Sequence, residues 1–195
     1  KALTIANNGS TTTYNGTSTY AGLVSSAGYT VTGLDTSIGG VAVTDAVTSV
    51  TQTLKSGSAV GSGSTVSGVA QNGSFNAVPS SATGTGVSNY SIGYTGAAYT
   101  VNKATLTITA AADTKIYGNT TTNAGIVYNA GSASASAGVG YSITSGSLLG
   151  SDTLAGVTLS SLGGAATASV ATGIAITPSA ASGSGIGNYT ITYAN

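Results

Sequence analysis

A chain of 195 residues with four lysines, four aspartates and no arginine, glutamate or histidine has no formal net charge. Its charged fraction is 4%, against about 25% in ordinary soluble proteins. That balance excludes a basic footprint for nucleic acid and a polybasic patch for a membrane surface, and the missing cysteines exclude disulfides and thiolate metal sites.

In chain order, the predicted elements are strands. Leu3 and Ile5 alternate with Thr4. Asn8-Gly9 and Asn15-Gly16 follow, both hairpin-type dipeptides. Tyr29 and Val31 alternate with Thr30 and Thr32, and Val41 and Val43 with Ala42 and Thr44. After a third such dipeptide, Asn72-Gly73, the residues Tyr90, Ile92 and Tyr94 line one strand face and Ser91 and Gly93 the other. Tyr189, Ile191 and Tyr193 repeat that pattern near the end of the chain. Period-two runs of Thr, Val, Ile and Tyr read as half-buried strands. Thirty glycines and many β-branched residues argue against long helices. No helix beyond a turn or two is expected, and Val41–Leu54 is the place for one. No apolar run approaches the ~18 residues of a membrane span, so no membrane insertion is expected. A mean hydropathy of +0.29 argues against disorder.

The chain nearly repeats itself. Lys1-Ala2-Leu3-Thr4-Ile5 returns as Lys103-Ala104-Thr105-Leu106-Thr107-Ile108, and Ala21-Gly22-Leu23-Val24 as Ala124-Gly125-Ile126-Val127. Tyr29-Thr30-Val31-Thr32 returns as Tyr141-Ser142-Ile143-Thr144, and Asn89-Tyr90-Ser91-Ile92 as Asn188-Tyr189-Thr190-Ile191. Pro79 and Pro178 precede the two asparagines at equal distance. Blocks kept in one order indicate duplication. Two modules follow, 1–102 and 103–195, each large enough for a modest core. The expected fold is all-β, two tandem β-sandwich-like modules in an elongated arrangement, stiffened by a strand running through the boundary. Ser132–Gly140, an insertion in the second copy, reads as a loop or added hairpin, as does the longer segment between Asp35 and Pro79 in the first. The strand spanning Gly96–Asn102 has no counterpart after Tyr193-Ala194-Asn195. That points to a slice of a longer array, or to a module completed by a neighbour, because an open sheet edge accepts a strand from elsewhere.

Chemistry-bearing residues are few. Carboxylate-pair chemistry would draw on Asp35, Asp45, Asp113 and Asp152. Asp35-Thr36 and Asp152-Thr153 read as equivalent positions, hence about a module apart rather than the ~5–10 Å such a pair requires. Asx turns or caps explain them better. Four separated aspartates offer calcium too little. Gly61-Ser62-Gly63, Gly84-Thr85-Gly86 and Gly183-Ser184-Gly185 lack the lysine and strand-to-helix context of a phosphate loop. No catalytic, cofactor or metal residues are assigned. Eleven tyrosines accompany one phenylalanine and no tryptophan. Tyr14, Tyr29, Tyr90 and Tyr94 pair in register with Tyr117, Tyr141, Tyr189 and Tyr193, which favours core positions with bonded hydroxyls. Tyr20, Tyr99 and Tyr128 lack counterparts and are the candidate surface contacts for a sugar. Outward Ser and Thr hydroxyls are expected to ladder across strands. Asn-x-Ser/Thr matches occur at Asn8, Asn15, Asn72, Asn89, Asn119 and Asn188, as chance alone produces in so hydroxyl-rich a chain.

Leu3-Thr4-Ile5-Ala6, Tyr14-Asn15-Gly16-Thr17 and the closing Asn89-Tyr90-Ser91-Ile92 resemble the YDG repeat of bacterial large exoproteins related to filamentous haemagglutinin. Asn15 stands where that pattern has Asp. The second module, with Leu106-Thr107-Ile108, Lys115-Ile116-Tyr117-Gly118-Asn119 and Asn188-Tyr189-Thr190-Ile191, resembles the related MBG-type repeat. The resemblance implies a β-rich stalk segment of a secreted, surface-attached adhesin or biofilm-matrix protein, extracellular or on the bacterial cell surface. It brings no catalytic or ligand residues with it. The expected partners are copies of itself or neighbouring repeats, joined by strand complementation, and polysaccharide. The alternatives are a pair of carbohydrate-binding modules, a β-solenoid, for which no short internal period is found, and an enzyme.

Overall fold

The computed structural model describes residues 1–17, 28–57, 65, 72–128, 131–136 and 138–195. The chain divides into two compact units, Lys1–Asn102 and Lys103–Asn195. Both are all-β. The only helical turns among the described residues are single 3-10 turns at Val87–Asn89 and Ile186–Asn188. The expected place for a helix is instead occupied by strands.

Unit one holds β1 (Ala2–Asn7), β2 (Ser10–Thr13), β3 (Tyr29–Thr32), β4 (Ser37–Ile38), β5 (Val41–Ala42), β6 (Ser49–Ser56), β7 (Gly73–Thr83), β8 (Ser91–Thr95) and β9 (Ala97–Asn102). One sheet has the order β3-β1-β8, with β1 antiparallel to β3 and parallel to β8. A second has the order β2-β9-β7-β6. The alternation in β1 turns Leu3 and Ile5 inward, 1% and 0% exposed. There they meet Val50 of β6, with Tyr29, Val31, Leu34, Ala82 and Ile92 packed around them. The core thus lies between the two sheets, the two-layer arrangement of a sandwich. The long first-copy segment does carry an added hairpin, β4–β5.

Unit two holds β10 (Ala104–Ala110), β11 (Ser132–Ser136), β12 (Tyr141–Ser145), β13 (Gly156–Ser160), β14 (Thr177–Ser182) and β15 (Tyr189–Ala194). Its sheets have the orders β12-β10-β15 and β11-β13-β14. The central strand repeats the first unit's pairings, apart from a register shift between Thr107 and Ile108 on the β12 side. Leu3 and Ile5 face Ile92 and Tyr94, and Leu106 and Ile108 face Ile191 and Tyr193. On the other side Ile5 pairs with Val31, and Ile108 with Ile143. Leu106, Ile108, Val157 and Leu159 are all buried.

Three expectations need correction. The boundary carries no continuous strand, because Lys103 separates β9 from β10 and the two belong to different sheets. The insertion supplies β11, whose Ala133 and Ala135 are buried and which pairs with β13 rather than with the next strand, so it is neither a loop nor an added hairpin. Asn8-Gly9 closes no hairpin; it switches the chain from one sheet to the other, with the Gly9 amide donating to Asn7 Oδ1 at 2.7 Å. Asn15-Gly16 forms a local Asx turn through Thr17 N–H and Asn15 Oδ1 at 3.0 Å. The hydroxyl ladders are represented by Thr109 and Thr144, whose Oγ1 atoms lie 2.7 Å apart.

Candidate functional site

The two units share a polar latch. The turn before each closing strand begins at a glycine in the left-handed region, Gly86 (φ 69°) or Gly185 (φ 71°). A Cβ at either would run into the carboxylate of Asp45 or Asp152, so each aspartate rests directly on its glycine. The tyrosine after the turn donates its hydroxyl to that carboxylate: Tyr90 to Asp45 Oδ2 at 2.7 Å, Tyr189 to Asp152 Oδ2 at 2.8 Å. Each hydroxyl also accepts a backbone amide, from Asp35 at 3.0 Å and Leu149 at 2.7 Å. The Asp45 carboxylate, by taking the Tyr90 hydrogen bond, raises that phenol's pKa above the ordinary tyrosine value, and the Asp35 amide opposes it. A second hydroxyl pair holds the preceding strand: Tyr94 accepts from Ala82 N–H and Tyr193 from Ala181 N–H, both at 2.8 Å.

The latch revises the sequence reading of the aspartates. Asp152 corresponds to Asp45, not Asp35. Asp35 lends its amide to Tyr90 and its carboxylate to an exposed ion pair with Lys1. The signal was present in the chain: Asp45 and Asp152 each stand five residues before a Val-Thr pair, Val50-Thr51 and Val157-Thr158. Asp113 fits the capping reading instead, taking the Thr114 and Ala124 amides on Oδ1 at 2.7 and 3.2 Å. Among the described residues no three His, Cys, Asp or Glu converge.

The tyrosines also separate. Tyr20 lies outside the described residues. Tyr99 and Tyr128, expected at the surface, are buried, each 1% exposed. β9 turns Tyr99 and Val101 into the unit-one core, and a core residue offers no stacking face to a sugar. The paired tyrosines are not uniformly core: Tyr14, Tyr141 and Tyr189 are buried, whereas Tyr117 is 64% exposed.

Unit two contains a cavity of about 320 Å³ walled by two segments, 113–117 and 168–176, with Tyr128 at its base. The Tyr128 ring lies against Gly164, where any Cβ would strike it. Its hydroxyl is buried without a hydrogen-bond partner, as is Asp113 Oδ2. Burial raises the Tyr128 pKa, and the nearby Asp113 charge raises it further. Unit two also exposes apolar side chains: Ile116 is 69%, Leu162 91% and Val170 87% exposed, and Val170 lines the cavity. No one segment of the chain signals this cavity; it lies where unit one makes a strand pairing that the described residues of unit two do not. Comparisons with family models, with curated proteins and with solved structures find no match to the chain.

Proposed function

We propose that this chain is a structural, adhesive segment of a secreted bacterial surface fibre or biofilm matrix, which extends and self-associates through its β units. The observation that carries the reading is the latch: one plan of sheet register, left-handed turn and Tyr–Asp hydrogen bond is built twice in one chain. Repetition of a whole unit multiplies surface and length, which suits construction material. The neutral, hydroxyl-rich composition supports association, since four lysines and four aspartates supply little repulsion between copies. Apolar side chains exposed on unit two supply contact area. The extracellular bacterial location follows from the resemblance to exoprotein repeats. The polysaccharide reading loses two of its three tyrosine candidates to the interior.

Sedimentation velocity across a wide concentration range tests the proposal. Association that grows with concentration and changes little between low and high salt is the expected result. A monomer at every concentration refutes it.

A further inference from the structure

We infer that the unit-two cavity is an acceptor slot for an extended, uncharged β-strand of the β9 type. The inference rests on the reading of the chain as a self-associating β segment, and it names the surface and the partner.

Unit one shows the slot filled. There β9 lies between two strands, parallel to β2 (Ser10↔Tyr99, Thr11↔Thr100) and antiparallel to the first half of β7 (Phe75↔Tyr99, Ser74↔Thr100). The repeat register carries Ser10 onto Asp113 and Thr11 onto Thr114, as it carries Leu3 onto Leu106 and Tyr14 onto Tyr117. It carries Phe75 onto Ile174, as it carries Pro79 onto Pro178. Asp113, Thr114, Gly173 and Ile174 all line the cavity. The cavity therefore occupies the place that β9 fills in unit one.

The segments flanking the cavity differ from their unit-one counterparts. Residues 73–77 form half of β7, with Asn76 and Ala77 fully buried. Their counterparts 172–176 are not strand, and Ile174 is 37% exposed. Likewise Ser10–Thr13 is strand, while 113–116 is not. In unit one this half of β7 is held by β9 on one side and by β6 on the other, whereas β13 ends at Ser160; a backbone without ladder partners has no reason to hold an extended register. β14 begins only at Thr177, where its pairing with β13 suffices.

Two polar atoms in the cavity wall also lack partners. Asp113 Oδ2 and the Tyr128 hydroxyl are buried and unbonded, an arrangement that is costly unless a donor or acceptor arrives. A strand entering here brings a row of both. The occupant's chemistry follows from β9 itself, Ala97-Ala98-Tyr99-Thr100-Val101-Asn102: uncharged, with an aromatic and a β-branched residue on one face, two apart, for the cavity. Main-chain hydrogen bonds supply affinity and the alternate side chains supply selectivity.

The test adds a synthetic peptide of sequence Gly96–Asn102 to the full chain. Binding is read by fluorescence anisotropy of the labelled peptide, and the responding segment by amide hydrogen exchange. Saturable binding is expected, with protection rising at least about tenfold in 113–116 and 172–176 and nowhere in unit one. Tyr99→Ser in the peptide weakens binding by about tenfold or more, through the lost aromatic burial. Thr100→Pro abolishes it, because proline removes a ladder donor. Equal binding of the proline peptide, or protection outside these two segments, overturns the slot. A second arm fuses the same seven residues after Asn195 through a flexible linker. Protection of 113–116 and 172–176 by the fused strand, with or without binding of the free peptide, supports the slot. If neither protects them, the slot is overturned. Concentration-dependent association of a chain that fails these tests leaves the fibre proposal standing without this surface.

Discussion

Substitution of Tyr189 by phenylalanine isolates the latch, because it removes one oxygen from a buried ring and leaves the packing. Tyr189 is 3% exposed, its hydroxyl 2.8 Å from Asp152 Oδ2 and 2.7 Å from the Leu149 amide. Both partners lose their bond at once. A hydrogen bond to a charged group contributes ~1.5–3 kcal/mol, and a stranded buried amide costs ~1–3 kcal/mol. Asp152 and Leu149 are both only half-buried and recover part of their losses from water, which brings the expected net destabilisation to about 2 kcal/mol. For a unit of this size that lowers the thermal midpoint by about 8–16 °C. Denaturant titration of the full chain, read by hydrogen exchange in peptides from Lys103–Asn195, measures it. A double-mutant cycle with Asp152→Asn should give a coupling of about 1 kcal/mol or more, since the two side chains touch. A loss under about 0.5 kcal/mol, the range of an ordinary surface change, refutes the assignment of the latch as a stabilising element. Tyr90→Phe should move unit one in the same direction by less, because its ring is only half-buried.

Gly185→Ala forces a Cβ into the left-handed region and into the Asp152 carboxylate; an expected loss of at least about 1–2 kcal/mol is read by the same titration. Tyr128→Phe removes a buried hydroxyl that has no partner, so stability at neutral pH should hold or rise, by up to about 1 kcal/mol; a loss beyond that would mean that the hydroxyl is bonded. The Tyr128 and Tyr141 pKa values are both raised, chiefly by burial. Folding therefore holds their protons more tightly than the unfolded chain, whose tyrosines ionise near ~10. Their contribution is complete below that pH and is lost as pH rises from there through the folded values. Urea titrations from pH 8 upward should show the fall, and Tyr128→Phe should reduce it; stability independent of pH through that window contradicts the burial argument.

Much of the fold was legible because strand periodicity is local. Thr4 between Leu3 and Ile5 already announces which side faces a core, and the repeated blocks place the second unit on the first. The pairing was less legible. Asn8-Gly9 reads locally as a hairpin, yet β1 finds its neighbours in β3 and β8, distant in sequence. The insertion at 132–140 reads as a loop by composition, but alternating Ser and Ala suits an edge beside β13, where small side chains fit closely. Tyr99 and Tyr128 lacked repeat counterparts, which suggested surface. Tyr99 is held in the core by β9, and Tyr128 lines the unit-two cavity with its ring against Gly164. The cavity itself follows from comparing two pairings, and no single segment encodes it.

Electron microscopy of the chain at rising concentration tests most directly whether these units serve as building material. The account predicts assemblies that lengthen with concentration and repeat at one or two unit lengths. Dispersed single particles at every concentration, under conditions where both units are folded, would contradict it.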